Sequence, residues 1–185
     1  MRPLVLVALP QEARYLPADT DLVLTGVGLT KAAVATTRAI LDRAPAPEQR
    51  ADLLVVNLGS VGALGPHQED VFEPSAVINR DVDEEMLRAL GFTPDNRIEL
   101  GGTGPVLGSG DAFVAGGAAR QALVGRCDVV DMEGFAIAYA CRELGVHLRV
   151  IKHISDSADE AALAWTELAD RSARALAAAY GRLFG

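Results

Sequence analysis

Between Asp128 and Asp159 the chain reads DVVDMEGFAIAYACRELGVHLRVIKHISDSAD. It is a short apolar strand, an amphipathic helix, and a second apolar strand that runs straight into Ser155-Asp156. Strands alternating with helices make an α/β sandwich with a mostly parallel sheet. A strand that ends in acidic residues places carboxylates at the sheet edge, where open α/β folds bind ligands. Aspartate also favours helix N-cap positions, so capping and chemistry are both open to these acids.

The rest of the chain repeats the alternation. Apolar, β-branched runs predict strands over 3–9, 21–25, 52–58, 71–79 and 146–154, with a glycine-broken strand from Pro105. Pro74 implies an edge or a bulge within 71–79. Helices are expected over 30–43, 83–90, from Asp111 to about Val124, from Asp131 to Leu144, and over 166–183, with Trp165 anchoring the last. Helical spacing puts Ala33, Val34, Thr37, Ile40 and Leu41 on the inner face of the first helix, and Phe135, Ala138, Cys141 and Leu144 on that of the fourth. Leu168, Leu176, Tyr180 and Leu183 face inward on the last. Residues 44–49 and 92–103 read as surface connections. The chain is expected to form one domain over residues 1–185.

The polar exceptions fall at strand ends: Glu12, Gly26 and Gly28, Asn57 to Ser60, Ser109 to Phe113, Asp131 to Glu133, and Ser155-Asp156. Each has a bland explanation. Glu12 could be a solvated first-turn acid favoured by the helix dipole, Asn57 a hydrogen-bonded structural amide, and Asp111 and Asp131 N-caps. The Gly26-Val27-Gly28 turn is no dinucleotide fingerprint, because Thr30 and Lys31 stand where a third glycine belongs. Together the exceptions point to one ligand site.

Composition narrows the ligand. A net charge of −8 argues against a nucleic-acid or anionic-membrane surface. The three histidines are scattered without metal-ligand spacing. Cys127 and Cys141 sit in apolar or helical context and read as buried free thiols, which fits a reducing cytoplasm. No run approaches the roughly 20 apolar residues of a membrane span, and PLVLVAL is too short for a signal segment.

The segments ALPQEARYL, TGVGLTKAA, VVNLGSVGAL, GSGDAF, VVDMEGFAIAYAC and ISDSAD resemble, in order and over nearly the whole chain, the nucleoside phosphorylase and nucleosidase superfamily, most closely the methylthioadenosine/S-adenosylhomocysteine nucleosidases. The resemblance implies a three-layer α/β/α sandwich with a central mixed, mostly parallel sheet. It also implies a homodimer, no cofactor or metal, and cleavage of the bond between a purine and ribose. Carried over residue by residue, Asp156 looks like the acid that protonates the purine at N7. Glu12 looks like the carboxylate that positions or deprotonates the attacking water. Glu133 matches the residue gripping the ribose hydroxyls, with Met132 packing beside the sugar and Asp131 where the family usually has glutamate. Phe113 is expected to stack on the base and Val114 to offer backbone hydrogen bonds. Ser60 and Ser155 stand near the nucleophile and near Asp156.

The reaction type then turns on phosphate. Related phosphorylases carry a phosphate-binding arginine in the strand before Gly-Ser and another in the first loop. Here those places hold Asn57 and Glu12, which suits water, although Arg14 lies nearby. The expected partners are a purine nucleoside of the methylthioadenosine type and water, with futalosine-type nucleosides and phosphorolysis as alternatives. Between Gly65 and Ser109 the chain is shorter than typical members, in the region that in the family builds the pocket for the 5′ substituent.

Overall fold

The structure is a computed structural model that describes residues 2–66, 71–159 and 165–185, the side chains of 165–167 excepted. His67 and the expected anchor Trp165 therefore lie outside the described side chains. In chain order the elements are β1 (Leu4–Val7), β2 (Leu22–Leu24), α1 (Leu29–Arg43), α2 (Pro47–Arg50), β3 (Leu54–Ala63), β4 (Val71–Phe72) and β5 (Ala76–Asn79). They continue with α3 (Glu84–Ala89), β6 (Arg97–Glu99), β7 (Leu107–Ser109), α4 (Gly117–Gln121), β8 (Val129–Asp131), α5 (Gly134–Leu144), β9 (His147–Asp156) and α6 (Trp165–Phe184).

The two long strands, β3 and β9, run parallel from Leu54 opposite His147 to Val61 opposite Ile154. β1 lies parallel on the other side of β3, with β2 at its edge. The far end of β3 turns away from this group to pair antiparallel with β8, and β7, β5 and β6 follow. The result is the mixed, mostly parallel sheet with helices on both faces that the alternation predicts.

Residue parity sorts the core. Successive strand side chains point to opposite faces, so Leu4, Leu6 and Val55 meet Ile40 of α1 and Ile137 of α5. Val5, Val7, Val56, Leu58 and Ile151 meet Leu176 and Tyr180 of α6 on the other side. Each such side chain is worth about 1.5–3 kcal/mol on burial. Cys127 and Cys141 are free and buried in this packing, and burial pushes both thiols up, to about 11 and about 12. Among the described residues no helix is long and apolar enough to cross a membrane.

Several expectations need correction. The buried face of α1 is Ala32, Thr36, Ala39 and Ile40, while Val34 and Leu41 are 54% and 38% exposed. α1 packs against α5, and small residues on that line let the two helices approach closely. On α6, Leu183 is exposed and Phe184 packs inward in its place. The 71–79 strand is split at Pro74 into β4 and β5, and the 92–103 connection contains the edge strand β6, whose one buried residue, Ile98, gives no alternation to read. The 44–49 connection contains the short α2.

Asp111 does not cap α4, whose N-cap is Gly116. Its carboxylate accepts the Leu29 N–H at 2.7 Å, at the start of α1. Gly28, the N-cap of α1, has a positive φ of 101° and no side chain to cap with. A carboxylate from another segment therefore takes over that task.

Candidate active site

The strand ends that carry the polar exceptions converge on one cavity of about 290 Å³. Glu12, Ser60, Phe113, Val114, Asp131, Met132, Glu133, Ser155 and Asp156 all line it, with Ala8, Leu9, Val27, Val61, Gly62, Arg80, Ala112 and Val130. Every residue that the resemblance assigns to the site thus lies on the same wall system, whereas Gly26, Gly28, Asn57, Ser109 and Asp111 among the strand-end exceptions do not line it.

Glu12 is buried, not a solvated first-turn acid. The chain turns tightly after β1, and the Glu12 carboxylate folds back over the strand ends. One oxygen accepts the Leu9 N–H at 3.2 Å; the other accepts the Ser60 N–H at 3.0 Å and the Ser60 hydroxyl at 3.2 Å. Ser60 belongs to β3, which continues as paired strand through the Gly59–Gly62 segment that looks like a loop in the sequence. The glycines serve side chains from β9. A Cβ at Gly62 would stand 2.9 Å from a carboxylate oxygen of Asp156.

Asp156 reaches the cavity through a bulge. Val61 pairs with Ile154 and Gly62 with Asp156, so Ser155 is the extra residue. The Ser155 hydroxyl lies 2.6 Å from one Asp156 oxygen and 3.2 Å from the Val61 carbonyl, and it can donate to either. The other Asp156 oxygen accepts the Ala158 N–H at 2.8 Å. Ala158 is the one described non-glycine residue with positive φ, at 49°, a conformation that costs roughly 1–2 kcal/mol and fixes the carboxylate.

At the end of β8, the N-cap position of α5 falls on Glu133 and not on Asp131, although Asp131 accepts the Gly134 N–H, the first of α5, at 2.9 Å. It also accepts the Ser109 hydroxyl at 2.5 Å, while Ser109 accepts the Phe135 N–H. Glu133 turns the other way and accepts the Gly28 N–H at 2.9 Å. Burial, and then the nearby Asp131 charge, push its carboxyl up to about 7; the Gly28 N–H and Lys152 oppose the rise. Phe113 is 53% exposed at the cavity rim and Val114 is buried behind it. Asn57 stays below the cavity as a structural amide, donating to the Leu6 carbonyl at 3.2 Å. Arg14 points outward to Asp170 and Tyr15.

Two neighbours of the cavity stand beyond the candidate list: Arg80, which the sequence reading missed, and Lys152, which it placed beside Asp156 without a role. Arg80 follows β5 directly, so the strand-end pattern that marks the other residues also marks it. Its guanidinium binds the carbonyls of Gly110, Ala112 and Asp131, fixing the loop that carries Phe113. Lys152 is buried beneath the site, 2.9 Å from Asp131. His153 departs to the opposite face, where its Nδ1 meets the Ser172 hydroxyl at 2.9 Å, as strand alternation requires.

The Glu133 environment has a consequence for stability. Its carboxyl titrates near 7 in the folded chain against an ordinary 4.5. The folded state therefore holds more protons than the unfolded state in that window, and this group's contribution declines as pH rises through it. Glu133→Gln keeps an acceptor for Gly28 and removes the buried charge. It is expected to stabilise the fold by about 1–3 kcal/mol at pH 8 and by almost nothing at pH 4. Urea unfolding at the two pH values checks this; an equal effect at both would refute the assigned burial cost.

Comparison with known proteins adds an independent line. Residues 102–183 match the Phosphorylase superfamily model. An aminodeoxyfutalosine nucleosidase of Helicobacter pylori is 29% identical over 127 residues, 56% of this chain. The chain spans 55% of that relative's length, about half. A 5′-methylthioadenosine/S-adenosylhomocysteine nucleosidase of Shewanella halifaxensis is 26% identical over 77% of this chain and 71% of its own. The structure of the Helicobacter pylori enzyme of that name with butyl-thio-DADMe-Immucillin-A superposes with a TM-score of 0.76 at 23% identity, covering 96% of this chain and 95% of the other. The resemblance drawn from the motifs is borne out: residues 102–183 carry the Phosphorylase superfamily pattern, and the chain has the fold of the nucleoside phosphorylases and nucleosidases.

Proposed function

We propose that this chain hydrolyses the N-glycosidic bond of a purine nucleoside of the 5′-methylthioadenosine/S-adenosylhomocysteine type, releasing the base and a ribosyl product. One observation carries the reading. The cavity is lined by four carboxylates, Glu12, Asp131, Glu133 and Asp156, and by a single cation among the described residues, Arg80. Two of the three Arg80 nitrogens are engaged, Nη2 with backbone carbonyls and Nη1 with Asp81 at 3.4 Å, and the third, Nε, is buried. Such a lining repels phosphate and tolerates water beside a cationic sugar.

Each residue type has a task in that reaction. Breaking the bond leaves electron density on the purine and positive charge on the ribose. Asp156, holding a proton, donates it to N7 of the leaving base. Ser155 helps either form: it donates to the ionised carboxylate, or turns to the Val61 carbonyl and accepts from the protonated one. Glu12 takes a proton from the attacking water and stabilises the oxocarbenium-like sugar, as the second carboxylate does in glycoside hydrolysis. Ionised Glu133 accepts from the ribose hydroxyls, with Met132 beside the sugar. Phe113 stacks on the base and Val114 offers backbone bonds to it. A homodimer working in the cytoplasm completes the proposal.

A futalosine-type nucleoside is the second reading, favoured by the 29% match to the aminodeoxyfutalosine nucleosidase. Base release from a panel of 5′-substituted adenosines and futalosine, with and without phosphate, tests both. Release of base from none of them would overturn the proposal. Turnover that requires phosphate, with ribose 1-phosphate as product, would replace hydrolysis by phosphorolysis.

A further inference from the structure

Lys152 is the largest of the fully buried side chains, 1% exposed. Taking an ammonium group out of water costs several kcal/mol unless it is paired and hydrogen-bonded. A methionine of similar length would fill the same space without that cost, so the charge itself calls for an explanation.

Geometry supplies one. Lys152 stands opposite Gly59 in the β3–β9 ladder. A Cβ built on Gly59 would lie 3.0 Å from Lys152 Nζ and 3.5 Å from the Glu12 carboxylate. The missing side chain thus leaves a space that the ammonium group and a Glu12 carboxylate oxygen both border. Its direct ion pair is with Asp131, at 2.9 Å, between side chains each 2% exposed. Glu133, two residues beyond Asp131, also feels its charge. The titratable groups around it come from every adjoining segment: Glu12 after β1, Asp131 on β8, Glu133 before α5, and Asp156 at the end of its own strand. Ser60 and Ser109 add hydroxyls bound to Glu12 and Asp131.

We propose that Lys152 is a positioning residue. As the buried counter-ion of Glu12, Asp131 and Glu133, it lets three carboxylates stand charged along one cavity and holds Asp131 and Glu12 in orientation. This rests on the nucleosidase reading of the site. Lys152 touches no substrate in this scheme; it acts through the carboxylates.

The test is the pH dependence of kcat/KM for methylthioadenosine hydrolysis in the full chain. Glu133 must be ionised to accept from the ribose, so the wild-type rate falls on the acid side with its titration. Lys152→Met removes a neighbouring cation and should move that acid limb up by about one pH unit. At pH 7 it should lose about fivefold in kcat/KM, with recovery towards pH 8.5. Lys152→Arg, which keeps the charge, should return the limb towards the wild-type position. Lys152→Gln, which removes the charge but keeps a polar side chain, should move the limb the same way as Lys152→Met, which keeps the proposal testable if Lys152→Met does not fold. A pH profile unchanged in shape in the folded variants would leave Lys152 a packing residue and overturn the proposal.

A second readout does not need turnover. The pH window in which Glu133→Gln stabilises the fold should shift upward in a Lys152→Met background. If the chain hydrolyses no nucleoside but this window shifts, the functional reading fails while the electrostatic role of Lys152 stands; a fixed window overturns that role.

Discussion

Asp156→Asn is expected to lower kcat for nucleoside hydrolysis by about 10²- to 10⁴-fold, the usual worth of general acid assistance, while KM changes only a few-fold. The substitution is close to isosteric in a tightly fixed place. Its carbonyl oxygen can still accept the Ala158 N–H now held at 2.8 Å, and its amide can face the Ser155 hydroxyl. Binding of the base should therefore survive, because an amide also donates a hydrogen bond to N7. What it lacks is a transferable proton, so the purine must leave as an anion. A loss confined to kcat marks an interaction made in the transition state alone. Steady-state kinetics with binding of free adenine measured separately checks this. Undiminished turnover would remove Asp156 from the acid role.

The same site shows what a linear reading can and cannot reach. The strand-end rule found the cavity walls because a parallel sheet delivers successive strand ends to one edge. It needed only Glu12, Ser60, Asp131 and Asp156 to follow apolar runs. The first half of β3 was legible because both its faces are buried and its sequence is nearly unbroken in apolar residues; β9 was legible only by Val150, Ile151 and Ile154, since it also buries Lys152, His153 and Ser155. The pairings across the sheet were not legible. Asp111 looks like a cap for the helix that follows it, yet it serves α1, more than 80 residues earlier. Lys152 stands in the sequence just before Ile154-Ser155-Asp156, on the strand face opposite His153, but only the empty side of Gly59 shows where its charge goes. The Ser155 bulge, which sets the direction of Asp156, likewise exists only against β3. Small residues hide in the same way: α1 buries Ala32 and Ala39 because α5 lies close, and hydrophobicity alone favours Val34 and Leu41.

Glu12→Gln should be as damaging as the loss of Asp156, through the other half of the reaction. A fall of about 10²- to 10⁴-fold in kcat is expected from loss of the base that activates water. The change also has a structural cost that Asp156→Asn lacks. Glu12 accepts on both oxygens, from Leu9 on one side and from Ser60 twice on the other. Glutamine can satisfy Ser60 with its carbonyl, but its amide then meets the Leu9 N–H, donor against donor. Leaving that half-buried N–H unpaired costs about 1 kcal/mol, the low end for a buried donor, a fall in Tm of about 2–4 °C for a chain of this size. The two effects separate experimentally. The Tm loss appears in the unliganded protein, whereas the rate loss persists at temperatures well below unfolding, where adenine still binds. Added phosphate then decides what the carboxylate was for. If removing its charge admits phosphate and restores cleavage with ribose 1-phosphate as product, Glu12 excludes the anion and is not needed as a base. If phosphate gives no recovery, the residue is required for water itself, and the hydrolytic reading stands on it.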